Sequence, residues 1–244
     1  MTPTKVLATT ERVLNQLRHD PRTIALVVFV PSLVVVLLRY MFNSDVASFD
    51  HTAPMLLGIF PLIALFNVAA VAMLRERTSG TLDRMLTLPM AKLDLLLGYA
   101  LAFGVLILAQ ASLASLVALG IFKVHVAAGT AAIFLFTILS GLLGMSIGML
   151  LSAFATSEYQ ANQFLPAFIL PQLLLSGFFV SRTHMGFVLR WLSDVLPLTY
   201  IIDAMHHITL YSTWDKYLVR DLIVIAGIIS ATLILAAVSL RRKE

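Results

Sequence analysis

The chain has 244 residues, of which 59% are apolar and 12% charged. Its mean hydropathy of +0.93 excludes an ordinary soluble domain. The balance of 17 basic against 13 acidic residues leaves a net charge of +4, but the basic residues gather at the ends of apolar runs, a pattern that orients a membrane protein and argues against nucleic-acid binding. With no cysteine, disulfides, thiolate catalysis and cysteine metal sites are excluded.

Several apolar runs of about 20 residues, the length of a bilayer span, follow one another. They are too long and too uniform for barrel strands, so the predicted fold is all-α and polytopic. Residues 1–22 read as an interfacial segment. Within it, Met1 to Asp20 form an amphipathic helix with Val6, Val13, Leu14 and Leu17 on one side and Lys5, Arg12 and Arg18 elsewhere. Met1 to Arg22 is polar and mixed in charge, unlike a cleavable signal peptide.

The first span is predicted over Thr23 to Phe42 and the second over Pro54 to Leu74, where Pro61 and Asn67 suit a helix packed inside a bundle. The densest charged island follows, Arg75 to Asp94. There Thr78 or Ser79 is expected to cap a short helix, with Leu82, Met85 and Leu86 on its apolar side and Asp83 and Arg84 on the other. Pro89 discourages its continuation. The third and fourth spans occupy Leu95 to Phe122 and Gly129 to Phe154. In the fourth, Ser140, Gly144, Gly148 and Ser152 recur every four residues, a spacing that lets a neighbouring helix approach closely. Packing within the chain is the leading reading of that stripe, ahead of a dimer or pore seam.

The fifth span begins near Gln163 and contains Pro166, Pro171, Gln172, Ser176 and Gly177, so a bent, partly polar helix is expected. Residues 181–216 are too polar to span. They read as two half-helices broken at Asp194 to Pro197, with Trp191, Tyr200, Tyr211 and Trp214 as interfacial aromatics. The last span runs from Tyr217 to Leu240 and is stopped by Arg241, Arg242 and Lys243. Six spans place both termini on one side, together with residues 75–94, and the excess of lysine and arginine there makes that side cytoplasmic. The whole chain, residues 1–244, is one transmembrane domain of a multi-pass protein of the cell membrane, of the bacterial inner-membrane type.

This arrangement resembles the membrane subunit of type 2 ABC exporters, the class that includes daunorubicin-resistance permeases. The residues that carry the likeness are Arg75-Glu76-Arg77-Thr78-Ser79-Gly80-Thr81-Leu82-Asp83, the stretch from Leu165-Pro166-Ala167 through Leu175-Ser176-Gly177-Phe178-Phe179, and Leu196-Pro197-Leu198-Thr199-Tyr200. The resemblance implies that Glu76 to Arg84 form a coupling helix docking into a separate ATPase subunit, with Arg75, Glu76, Arg77, Thr78, Ser79, Gly80, Asp83 and Arg84 contacting or orienting it. It also implies two permease copies, as a homodimer, around the pathway, and half-helices that reenter from outside. No Gly-x-x-x-x-Gly-Lys-Ser/Thr loop occurs in the sequence. Hydrolysis is therefore expected in the partner, which would carry ATP and Mg, while this chain needs no cofactor of its own and no nucleic acid.

Asn67, Gln110, Gln163 and Gln172 are the candidate pathway residues, because an unpaired amide in hydrocarbon is costly. Hydrogen bonding between helices is the competing role. Asp203, His206 and His207, at i, i+3 and i+4, lack a fourth ligand, and interfacial placement is favoured over a metal or proton site. The expected substrate is hydrophobic or amphipathic: a drug, lipid or natural product leaving the cytoplasm or inner leaflet. A non-transporting scaffold is the alternative. An intramembrane hydrolase is the least favoured reading, since no His-Glu-x-x-His occurs and no serine-hydrolase elbow is expected.

Overall fold

The computed structural model describes residues 3–87 and 91–240, without the side chains of Asp83 and Leu86. Pro89, Arg241, Arg242 and Lys243, and the facing expected for Asp83 and Leu86, lie outside the described residues. The elements are α1 (Pro3–Arg18), α2 (Pro21–Met41), α3 (Val46–Thr78), α4 (Thr81–Leu86), α5 (Lys92–Ser115), α6 (Thr130–Leu151), α7 (Glu158–Leu175), α8 (Phe187–Val195), α9 (Pro197–Leu210) and α10 (Lys216–Ser239). Helix α5 widens into a π-turn over Leu116–Ile121, and α6 tightens into a 3-10 turn over Ser152–Phe154.

Side-chain caps start the helices. Asp20 accepts from Thr23 N at 3.2 Å ahead of α2, Asp45 from Ser48 N at 3.0 Å ahead of α3, and Asp215 from Leu218 N at 3.1 Å ahead of α10. Pro21 at the start of α2 and Pro197 at the start of α9 occupy positions whose N–H has no helical partner.

Among the described residues, 5 helices are long and apolar enough to cross a bilayer: α2, α3, α5 with its π-turn, α6 with its 3-10 turn, and α10. Helix α7, the expected fifth span, is not among them. It begins earlier than predicted, at Glu158, capped by the Ser157 hydroxyl, and its first turns carry Glu158, Gln160, Asn162 and Gln163. Pro166 and Pro171 are accommodated within it. Helices α8 and α9 meet at Leu196, as the expected break at Asp194 to Pro197 requires.

Helix α3 is the axis of the bundle, and α6 lies closest to it. The small face of α6 makes this possible: a Cβ on Gly144 would overlap the backbone of Leu62, and one on Gly148 the carbonyl of Phe66. The Ser140 hydroxyl donates to the Gly58 carbonyl across the same seam. The stripe at Ser140, Gly144 and Gly148 thus serves packing within the chain. Helix α10 joins α6 through Thr232 and Ser146, 2.8 Å apart. Helices α2 and α10 keep broad exposed apolar faces, including Leu26, Phe29, Leu33, Ile223, Leu235 and Val238, as helices bordering hydrocarbon do. Helix α1 lies against α5, with Thr9 seated on Gly98 and the Thr10 hydroxyl 3.2 Å from the Gly98 carbonyl. The bundle therefore has an α1 end and an α8 end.

Candidate functional site: the α3–α4 corner and the two end cavities

The charged island folds as a corner. Helix α3 continues to Thr78, and Gly80, at φ 72°, turns the chain into α4. Only glycine holds that left-handed angle without strain. The predicted cap by Thr78 or Ser79 is not formed. The Thr78 hydroxyl donates back to the Leu74 carbonyl at 3.1 Å and that of Ser79 to Glu76 at 3.4 Å, so both finish α3, and Gly80 precedes α4 without a side-chain cap. Leu82 is buried and Met85 packs on the core, while Arg84 is exposed.

Glu76 is only 5% exposed. Its Oε1 accepts from Arg12 Nη1 at 2.8 Å and from Gln16 Nε2 at 3.2 Å, and Arg12 Nη2 donates to the Tyr99 hydroxyl at 2.8 Å. One carboxylate oxygen therefore joins α1 to α3, and Arg12 extends the link to α5. Arg75 forms a bidentate pair with Glu158 of α7, at 2.7 and 3.0 Å. Arg77 reaches Ser239 of α10 at 3.4 Å. Three residues singled out as partner contacts thus bond to the chain's own helices, and the exposed residues of the corner include Arg75, Thr78, Ser79, Gly80 and Arg84.

At the α1 end, a cavity of about 730 Å³ opens between α1, α2, α3 and α7. Its wall is apolar, with Leu26, Val27, Ile63, Val68 and Leu165, and Asp20, Thr23, Arg75, Glu158 and Asn162 add polar groups. Of the four amides predicted for a pathway, only Asn67 lines it. Gln163 is exposed on α7. Gln110 is fully buried in α5, and neither of its polar atoms has a hydrogen-bond partner among the described residues. Gln172 is buried, donates to the Phe168 carbonyl at 3.1 Å and accepts from Leu198 N at 3.1 Å. It satisfies a free N–H at the start of α9, a capping role the sequence did not reveal because the partner lies 26 positions away.

At the α8 end, a cavity of about 570 Å³ is bordered by α3, α8, α9 and α10. Arg182 pairs with Asp194 and Asp203, and Arg220 with Asp221 at 2.7 Å and with Asp203 at 3.8 Å. His206 packs edge-on against His51, ring centroids 5.2 Å apart, and His207 stacks on Tyr211 and lies 3.7 Å from Asp215. Burial pushes the Asp203 carboxyl above its usual range against the pull of Arg182, and burial together with His51 pushes His206 down. Asp203, His206 and His207 face separate partners, and no group of three metal-ligating side chains occurs among the described residues. Their place is in an ion-pair network, more enclosed than the solvated interface expected of them. Arg182 and Arg220 are its basic members, and the sequence did not single them out because Asp194 and Asp203 lie on elements other than theirs.

Gly144-Met145-Ser146-Ile147-Gly148 does have Gly-x-Ser-x-Gly spacing, contrary to the expectation of none. It lies in the middle of α6, where Ser146 is fully buried and donates to the Leu143 carbonyl at 2.9 Å. A hydrolase elbow exposes its serine on a turn between strand and helix. These glycines instead serve the α3–α6 contact.

The chain belongs to the ABC-2 type transporter family, whose model matches residues 4–210, from the first turn of α1 to the end of α9. It is similar to the ABC transporter G family member 20 of Dictyostelium discoideum, 26% identical over 168 residues, 69% of this chain and 23% of that protein. It is also similar to two probable multidrug ABC transporter permeases of Escherichia coli strain K12. YbhR is 27% identical over 175 residues, 71% of this chain and 47% of the relative, and YbhS is 24% identical over 213 residues, 87% and 56%. The chain therefore spans between 23% and 56% of the length of these relatives. It is a multi-pass ABC-2 permease, the membrane component of a transporter.

Proposed function

We propose that this permease works in an ATP-driven exporter that moves a hydrophobic or amphipathic compound out of the cytoplasm or inner leaflet. Family membership and the excess of basic residues at the α1 end support placing that end, with both termini, in the cytoplasm. Helix α7 then serves as the fifth of six spans, its polar first turns at the interface, and α8 and α9 reenter from the opposite side.

The observation that carries this reading is the braced corner. An exposed turn and short helix, with Arg84 outward, stands at the end of a helix 33 residues long that is tied to α1 by the Glu76–Arg12 pair. A partner pressing on α4 moves α3 and α1 together, because packed helices shift as units. The partner is an ATPase subunit carrying ATP and Mg. The exposed α7 face, with Gln163 and Leu174, suits a second permease copy in a homodimer. The α1-end cavity, with its apolar wall and polar rim, suits a small amphipathic substrate.

Affinity purification of the tagged protein in mild detergent, followed by mass spectrometry and an ATPase assay, tests the reading. A stoichiometric nucleotide-binding subunit, lost on Arg84→Glu or Gly80→Pro, supports it. Recovery of the permease alone, in a folded dimer, moves the weight to a membrane scaffold.

A further inference from the structure

Helix α8 sorts its residues cleanly by chemistry. At 100° per residue, Arg190, Ser193 and Asp194 share one arc, and Phe187, Val188, Leu189, Trp191, Leu192 and Val195 cover the rest. Phe187 is 86% exposed, Trp191 61% and Val195 63%, and Ser193 is the one buried residue of the helix. An amphipathic helix with an apolar arc this open, in a multi-pass membrane protein, belongs in the interfacial layer of a bilayer.

The polar arc adds a charge with no internal use. Arg190 lines the α8-end cavity, and its side chain has no hydrogen bond or ion pair with any described residue. Asp194, one turn further on and its nearest candidate partner on the helix, is taken by Arg182. The Nε of Arg182 is itself buried without a hydrogen-bond partner. A free guanidinium at the edge between a polar cavity and an apolar helix face matches an anionic head joined to apolar chains.

We infer that α8 and the rim of this cavity bind a glycerophospholipid of the adjacent leaflet, its phosphate at Arg190 and its acyl chains along Trp191 and Val195. Arginine suits the head because its fork meets phosphate oxygens in pairs. The bilayer is favoured over a second copy of the chain because a protein seam would leave Arg190 in need of a carboxylate partner, whereas every leaflet of phospholipid supplies phosphate at this depth. The inference needs only the membrane placement of the chain and stands or falls separately from the export reading.

The two tryptophans of the chain, Trp191 and Trp214, allow a direct test. In the full-length Trp214→Phe variant, Trp191 alone reports on α8. The protein is reconstituted in vesicles of equal parts phosphatidylglycerol and digalactosyl diacylglycerol, with quenching bromines on the acyl chains of one lipid and then the other. Trp191 is expected to favour the phospholipid about fivefold, the value of one arginine near an anionic lipid head. Arg190→Lys, which keeps the charge and loses the fork, weakens the preference, and Arg190→Gln abolishes it. Because Arg190 is exposed and unpaired, neither change should disturb folding. Equal quenching by both lipids, or a preference that survives Arg190→Gln, overturns the phosphate site. Absence of quenching in both arms means protein covers α8, and overturns it as well.

Discussion

Breaking the Arg12–Glu76 pair should release α1 from the bundle and weaken the fold by a measurable amount. The Glu76 side chain is 6% exposed and that of Arg12 31%, with 2.8 Å between Nη1 and Oε1. Removing one partner of a fully buried pair costs about 3–5 kcal/mol, because the remaining charge is stranded. Here Arg12 is partly solvated, and Gln16 would keep its bond to Glu76, so Arg12→Ala is expected to cost about 2 kcal/mol. Glu76→Ala should cost a similar amount, since it strands Arg12 beside Tyr99. The double variant should cost less than the sum of the two, with a coupling of about 1.5 kcal/mol between them. Reversible unfolding in mixed detergent micelles measures all three, and trypsin cleavage after Arg18 reports whether α1 has come away. A coupling below about 0.5 kcal/mol, with unchanged cleavage in Arg12→Ala, would refute the view that this pair clamps α1 to the corner.

Gly144→Ala should destabilise the bundle by about 2 kcal/mol through overlap with the Leu62 backbone, whereas Gly104→Ala, which meets nothing within 4 Å, should be neutral or mildly stabilising in the same unfolding assay. Gln172→Leu strands the N–H of Leu198, at a cost of about 1–3 kcal/mol. Faster amide exchange confined to the first turn of α9 is the expected signature, and unchanged exchange there would count against the cap. The depressed His206 gives a pH dependence whose sign follows from linkage. The folded protein holds this proton less tightly than the unfolded chain, so His206 contributes its full stability above the ordinary value of 6.5 and loses it as pH falls below that. Asp203, displaced upward, acts in the opposite sense. Unfolding measured between about pH 8 and 5 should therefore show an acid loss that shrinks in His206→Gln, and an identical profile in both proteins would rule the histidine out as its source.

Five of the six span positions, the N-terminal helix, the break before Pro197 and the small-residue stripe were legible from the sequence, because each is a local consequence of apolar length, periodicity or backbone restriction. Twenty apolar residues have few ways to satisfy their backbone in hydrocarbon other than as a helix, so Pro21–Met41 and Lys216–Ser239 fall within a few residues of their predicted ranges. The seam served by Gly144 was different, since spacing shows that a helix can come close without showing which one does. Tertiary structure alone decided the partners of the polar residues. Glu76 meets an arginine 64 positions earlier, Arg75 a glutamate 83 positions later, and Gln172 an N–H on the next helix but one. Charge within a stretch reveals that a group must be satisfied. Only the folded path of the chain determines whether a partner subunit or a distant helix satisfies it: the chain's own helices pair Arg75 and one oxygen of Glu76, whereas Glu76 Oε2 and Arg77 Nε are buried without a hydrogen-bond partner among the described residues.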